Sequence, residues 1–309
     1  MDVVKMLAKL SPRELAERLG ARPRRAPFRE RPNPTEALAM DRSLFASFGK
    51  ANVWNIVQPS AYGMYFDVPA PMQFDPKSIL DGGIAVLNLQ GPIGHHSDWW
   101  WCNYEDLAMH IRCALEHGDV RAAVLKIDSP GGVAAGMQES HKAIRRMRKE
   151  FGKPIFAYVD EMACSAAYHV ASACTEIWMP GSAIVGSVGV IMCTVDESEA
   201  LDKAGIKVRY VVTGKRKADL HPGQPVTDDV LRVAQEKVDA HGRMFFDAVG
   251  KARAHAGLDP KRVESYQAAV FLGSKAIGAG LADGLASYPR FLSLVRASLD
   301  AKTNLVKRP

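Results

Sequence analysis

From Gly83 onward the chain alternates two kinds of segment, and this alternation restricts the fold more than any other feature of its 309 residues. Residues 84–89 (IAVLNL), 122–127 (AAVLKI) and 155–159 (IFAYV) are short, nearly unbroken apolar runs rich in Val, Ile, Leu and Ala. Between them, residues 104–117 and about 133–151 carry apolar positions at helical spacing among charges. Strands buried on both faces and separated by amphipathic helices are the pattern of parallel βα units. The expectation is an α/β domain. Further strands are expected at 176–179, 188–193 and 208–212, and a helix at 165–174. A long helix over about 228–255 is expected to be arm-like or packed across the outside of the domain. A closing strand and short helix are expected within 271–286. No internal repeat is visible, so the pattern describes one unit and not two fused copies.

The residues before this pattern differ in character. Residues 1–20 read as an amphipathic helix, 21–34 as a Pro- and Arg-rich linker, and 64–68 as a strand. The expected division is a basic extension and linker over 1–80, the α/β domain over 81–290 and a tail over 291–309. Residues 1–42 hold ten Lys/Arg against six Asp/Glu, which is +4 of the net +6. The remainder is nearly neutral, which argues against a nucleic-acid-binding core. The basic start reads as a solvated tail or an assembly contact. The five cysteines form no CxxC pair, so neither a disulfide framework nor a zinc knuckle is indicated. Reduced thiols in a cytoplasmic protein are the simplest reading. No apolar run approaches the length of about 18 residues that a membrane span needs.

Three short motifs sit at the ends of these elements. Asp128-Ser129-Pro130-Gly131-Gly132 ends a core strand in a glycine turn, where proline stops the ladder and the glycines free the backbone. Such a turn, with a helix after it, can aim N–H groups at a developing anion. Cys164-Ser165-Ala166-Ala167-Tyr168 places a serine at the first turn of a helix among small neighbours. Serine there is also an ordinary helix cap, and Cys164 is a rival nucleophile. Adjacent side chains on a helix diverge by about 100°, so only one of the two can face the glycine turn. Gly214-Lys215-Arg216-Lys217 offers a lysine as base, or else a solvated basic loop. His169, one helical turn beyond Ser165, is the other candidate base, although a side chain there normally packs away from a cleft. A lysine base must be neutral, which requires a shift of roughly 2–3 units from about 10.4, worth roughly 3–4 kcal/mol. Ser187, in Gly186-Ser187-Val188-Gly189, is a hydroxyl able to orient an amine without adding charge. A nucleophile, an anion-binding turn and a base are the components of acyl transfer. That chemistry calls for no metal or cofactor, and none is expected.

In this order, and with Gly186-Ser-Val-Gly-Val190 and Ala282-Asp-Gly-Leu285, the motifs resemble the Ser-Lys peptidases of the signal peptide peptidase A family (peptidase family S49). The likeness is greatest to the head maturation proteases of tailed phages and prophages, and covers about residues 82–285. The resemblance implies the right-handed ββα superhelix of Clp peptidase and the crotonases. It also implies Ser165 as nucleophile, Lys217 as general base, Ser187 orienting the lysine, and the N–H groups of Gly132 and Ala166 as oxyanion hole. It further implies a homo-oligomeric ring and protein substrates among capsid, portal or scaffold proteins. Trp99-Trp100-Trp101 lines an apolar substrate groove or ring contact, or else caps the sheet. Three alternatives stay open: a soluble protease degrading peptides or membrane-protein fragments, a catalytically silent assembly protein, and a crotonase-type acyl-CoA enzyme with a glutamate acid/base.

Overall fold

The computed structural model describes residues 38–40, 79–80, 82–94 and 102–306, the side chains of 38–40 and 302–306 excepted. The expected helix at 1–20, the linker, the strand at 64–68 and Trp99 to Trp101 lie outside the described residues.

The elements run β1 (Leu38–Met40), β2 (Ile79–Leu80), β3 (Ile84–Gln90), β4 (Ile93–Gly94), β5 (Cys102–Asn103), α1 (Tyr104–Glu116), β6 (Ala122–Ser129), β7 (Gly131–Val133), α2 (Met137–Phe151), β8 (Ile155–Cys164) and α3 (Ala166–Ser172). They continue with β9 (Ile177–Met179), β10 (Ile184–Gly186), α4 (Ser198–Lys203), α5 (Asp228–Ala252), α6 (Pro260–Ser265), β11 (Val270–Leu272), α7 (Ser274–Gly278), β12 (Gly284–Leu285) and α8 (Tyr288–Val306). The α/β class expected from the sequence is the one observed.

The main sheet has the order β11-β10-β8-β6-β3-β2, and its centre, β3, β6, β8 and β10, is parallel. The ten-residue β8 serves two neighbours on its far side, β9 at Ala157 and Tyr158 and then β10 from Met162 to Cys164. Alternation along β6 explains its apolar run. Ala123, Leu125 and Ile127 face the larger core, with Leu107 and Ile111 of α1, Ile144 and Met147 of α2, and Phe245 and Val249 of α5. Ala122 and Val124 face the other way, where Phe156 and Tyr158 meet Phe291, Val295 and Leu299 of α8. Both faces are thus covered, as parallel sheets require. The segment expected as a tail therefore carries most of a helix with a buried apolar stripe.

Three expectations need correction. The strand expected at 188–193 is irregular, and β10 lies earlier, where Val185 is buried between β8 and β11. The strand expected at 208–212 has the right residue types and no ladder, and Val211 is 102% exposed. Propensity without a partner does not make a strand. The helix expected from Val133 begins at Met137, because Gly131–Val133 is itself a strand and Gly136 turns with φ 85°. The long helix α5 is intermediate between the two expectations, with its N-terminal half largely exposed and Gly242, Phe245, Ala248, Val249 and Gly250 buried. No helix among the described residues is long and apolar enough to cross a membrane.

Candidate active site

The parallel strands β6 and β8 deliver two of the three motifs side by side. Ser129 is in register with Ala163, so the glycine turn and the Cys164-Ser165 pair leave adjacent carboxyl ends of the sheet. This is where open α/β sheets place their ligands.

At the first of these ends, Gly131 has φ 104°, a conformation that side chains disfavour, and its N–H is 3.2 Å from the Ser129 Oγ that accepts it. Gly132 is required for a different reason. A Cβ there would stand 1.8 Å from the carbonyl oxygen of Ile93, because β4 runs directly against β7. The Tyr104 hydroxyl donates to the Val133 carbonyl at 2.8 Å and fixes the end of the turn.

At the second, Ser165 stands at the N-terminal boundary of α3 with φ 52° and ψ −121°, and its side chain makes no capping bond. Its hydroxyl instead points toward the Gly189 carbonyl at 3.4 Å, while its own N–H is held by the Gly186 carbonyl at 2.8 Å. A non-glycine residue in this region costs on the order of 1–3 kcal/mol, and such strain clusters at functional sites. The plain helix-cap reading of Ser165 fails on this geometry, since the hydroxyl does not bond the first-turn amides. Cys164 is the last residue of β8, in register with Gly186, and is buried.

Ser187 adjoins Ser165 through that Gly186 contact. It also has positive φ, 53°, and its N–H donates to the Ala269 carbonyl at 3.0 Å. Ala166 is the first residue of α3 and is buried. The structure therefore brings Gly132, Ser165, Ala166 and Ser187 into one neighbourhood. The Lys217 side chain is exposed, and among the described residues it makes no hydrogen bond or ion pair. Its loop is tied down by Arg216, which bonds Asp219 at 3.0 Å and Asp229 of α5 at 2.7 Å.

His169 is not placed to serve Ser165. Its Nε2 meets Gln138 Oε1 at 3.1 Å, and its ring lies 4.5 Å from that of His141 and 4.9 Å from Phe245, between α2, α3 and α5. Burial, then the nearby His141, holds its pKa well below the usual histidine value. Burial, with Arg145, Arg148 and Lys142, lowers His141 to about 4. Both rings are thus neutral in the fold and chargeable in the unfolded chain. The unfolded chain binds more protons between about pH 6.5 and 4. Stability is therefore expected to fall as pH drops through that window, by about 3 kcal/mol for His141 alone. Urea midpoints of wild type and His141→Leu at pH 7 and pH 4.5 check this: the variant loses less on acidification.

Two features escaped sequence reasoning. Asp128, just before the turn, is raised by burial and by the carboxylates of Glu161 and Asp160. Beneath α3, Arg253 is buried and pairs with Asp283 at 2.6 Å, while its Nη2 donates to the Gly280 carbonyl at 3.0 Å. Asp283 also accepts the Ile177 N–H at 2.7 Å, and the Tyr168 hydroxyl of α3 donates to Leu281 at 2.9 Å. The Ala282-Asp-Gly-Leu285 motif signalled the aspartate, but nothing in the sequence pointed to Arg253.

The fold thus sets a strained serine beside a glycine turn at the carboxyl ends of adjacent parallel strands. The model of peptidase family S49 matches residues 147–301, and the chain belongs to that family. Relatives include the head-tail preconnector protein GP5 of Enterobacteria phage P21, 33% identical over 71% of this chain and 44% of that one. Another is the capsid assembly protease C of Escherichia phage lambda, 33% identical over 76% of this chain and 54% of that one. Protease 4 of Haemophilus influenzae is 26% identical over 81% of this chain and 40% of that one. The chain spans about half the length of the curated relatives it matches. Among solved structures, a membrane-bound stomatin-specific protease, 1510-N, aligns over 68% of this chain and 83% of its own, at 15% identity and TM-score 0.40. ClpP1 of Listeria monocytogenes aligns over 68% and 95%, at 11% identity and TM-score 0.41.

Proposed function

We propose that the chain is a serine endopeptidase that works through an acyl-enzyme, and that its substrates are capsid or scaffold proteins of a phage or prophage head. The observation that carries the first part is the backbone at Ser165, strained and uncapped, one strand away from the glycine turn. The printed names of the two phage relatives support the second. Lys217 takes the Ser165 proton, Ser165 attacks the scissile carbonyl, and the oxyanion rests on the Gly132 and Ala166 amides. Lys217 then protonates the leaving amine, water enters the acyl-enzyme, and the same groups act in reverse. Ser187 orients the lysine.

The exposed position of Lys217 bears on assembly. Ile206, Val208, Val211 and Val212, in the segment before it, are all exposed large apolar residues. A homo-oligomeric ring that covers this segment brings the lysine to the serine. The test is cleavage of an unfolded protein by wild type and Lys217→Ala, read by intact mass at several chain concentrations. The proposal expects wild-type cleavage that rises more than linearly with concentration and none by the variant. Equal cleavage by both chains removes Lys217 from the mechanism.

A further inference from the structure

β7 is a strand with two edges, and both are occupied. One carries β4, through Ile93 and Gly132. The other carries β1, antiparallel, with Leu38 opposite Val133, Ala39 opposite Gly132 and Met40 opposite Gly131. An extended peptide is most readily recognised by adding a strand to an exposed edge. The edge of β7 is the one that leads to Ser165, since the turn and the serine leave neighbouring strands. Ser165 itself is 0% exposed. A substrate main chain therefore meets a covered edge and a covered nucleophile.

We propose that Leu38–Met40 is a built-in occupant of the substrate edge of β7, a piece of the chain's own N-terminal segment that holds the place of a peptide until one displaces it. This rests on the peptidase reading of the site. Three residues make a short ladder, and such a strand binds weakly on its own. Its hold comes from the covalent link: 38 residues separate Met40 from Ile79, so the pairing is intramolecular, with an effective concentration on the order of millimolar. The occupant competes with substrate without touching the chemistry. It raises the apparent KM and leaves kcat alone. The sequence of β1, Leu-Ala-Met, has no charge and no proline to prevent pairing, although it follows a stretch rich in both.

The experiment uses the full chain with Ala39→Pro and Met40→Pro together. Alternate residues of an antiparallel strand donate to the partner, so adjacent prolines remove a donor whichever phase β1 adopts. Two readouts are taken: the kinetics of an extended test peptide, and hydrogen exchange at the amides of Gly131, Gly132 and Val133. Occupancy predicts a KM lower by about 5- to 20-fold with unchanged kcat, and exchange at β7 faster by about tenfold or more. Equal KM values with equal exchange overturn it while leaving the peptidase reading intact. Faster exchange with no turnover by either chain supports the occupant and defeats the peptidase reading. Should the double variant fail to fold, the unmodified chain decides. Binding of a peptidyl boronate must speed exchange at Leu38–Met40; unchanged exchange there overturns the inference.

Discussion

Replacing Ser165 by alanine is expected to lower kcat/KM for peptide cleavage by about 10⁶-fold, the scale seen when a serine nucleophile is removed from a preorganised site. The fold has no need of the hydroxyl. It makes only a long contact to the Gly189 carbonyl and caps nothing. The unfolding midpoint should therefore stay within about 0.5 kcal/mol of wild type. Ser165→Gly separates the two roles further. Glycine adopts φ 52° without the penalty other residues incur, so this variant should be equally inactive and more stable by about 1 kcal/mol. A stabilised, dead variant is the signature of strain held at a nucleophile. Urea unfolding and peptide kinetics on the same preparations read both effects.

The largest expected loss of stability lies below the site, at Asp283→Ala. Arg253 is 1% exposed, and removing its partner strands a guanidinium that keeps the Gly280 carbonyl and a 3.4 Å contact with His255 Nε2 but no carboxylate. Breaking a buried pair from one side costs about 3–5 kcal/mol. The variant also frees the Ile177 N–H that begins β9. Replacing both residues by apolar ones is expected to recover most of that loss, because the pair's attraction is offset by desolvation of both charges. The pH dependence has a definite sign. Although burial alone opposes it, the contacts with Arg253 hold the Asp283 carboxyl below its ordinary range. The pair's contribution is present above about pH 4, the unfolded carboxylate value, and is lost as pH falls toward the folded one. Chemical unfolding of wild type and Asp283→Ala at pH 7 and pH 3 tests this: the gap between them narrows in acid.

Much of this was legible because the signals are local. The runs at 84–89, 122–127 and 155–159 became β3, β6 and β8 because period and composition agree with burial on both faces. The glycine turn was legible from Pro130, Gly131 and Gly132, although the helix beyond it starts four residues later than expected, at Met137, past the left-handed Gly136. What the sequence hid is non-local. Leu38–Met40 pairs with a strand some ninety residues away, and a three-residue apolar run offers no periodicity to announce it. Arg253 and Asp283 meet across 30 residues. Val208 to Val212 look like a strand to any propensity scale, yet among the described residues no neighbouring strand pairs with them. The same segment leads into Lys217, which is exposed as well.

The most direct test of the account is to trap the acyl-enzyme. Wild-type chain turning over an activated peptide ester would be quenched in acid and digested, and the acyl group located by mass spectrometry. The account predicts a single acyl group on Ser165, absent from Ser165→Ala and formed far more slowly by Lys217→Ala. An acyl group on Cys164, or turnover with no acyl group on the chain, would contradict it.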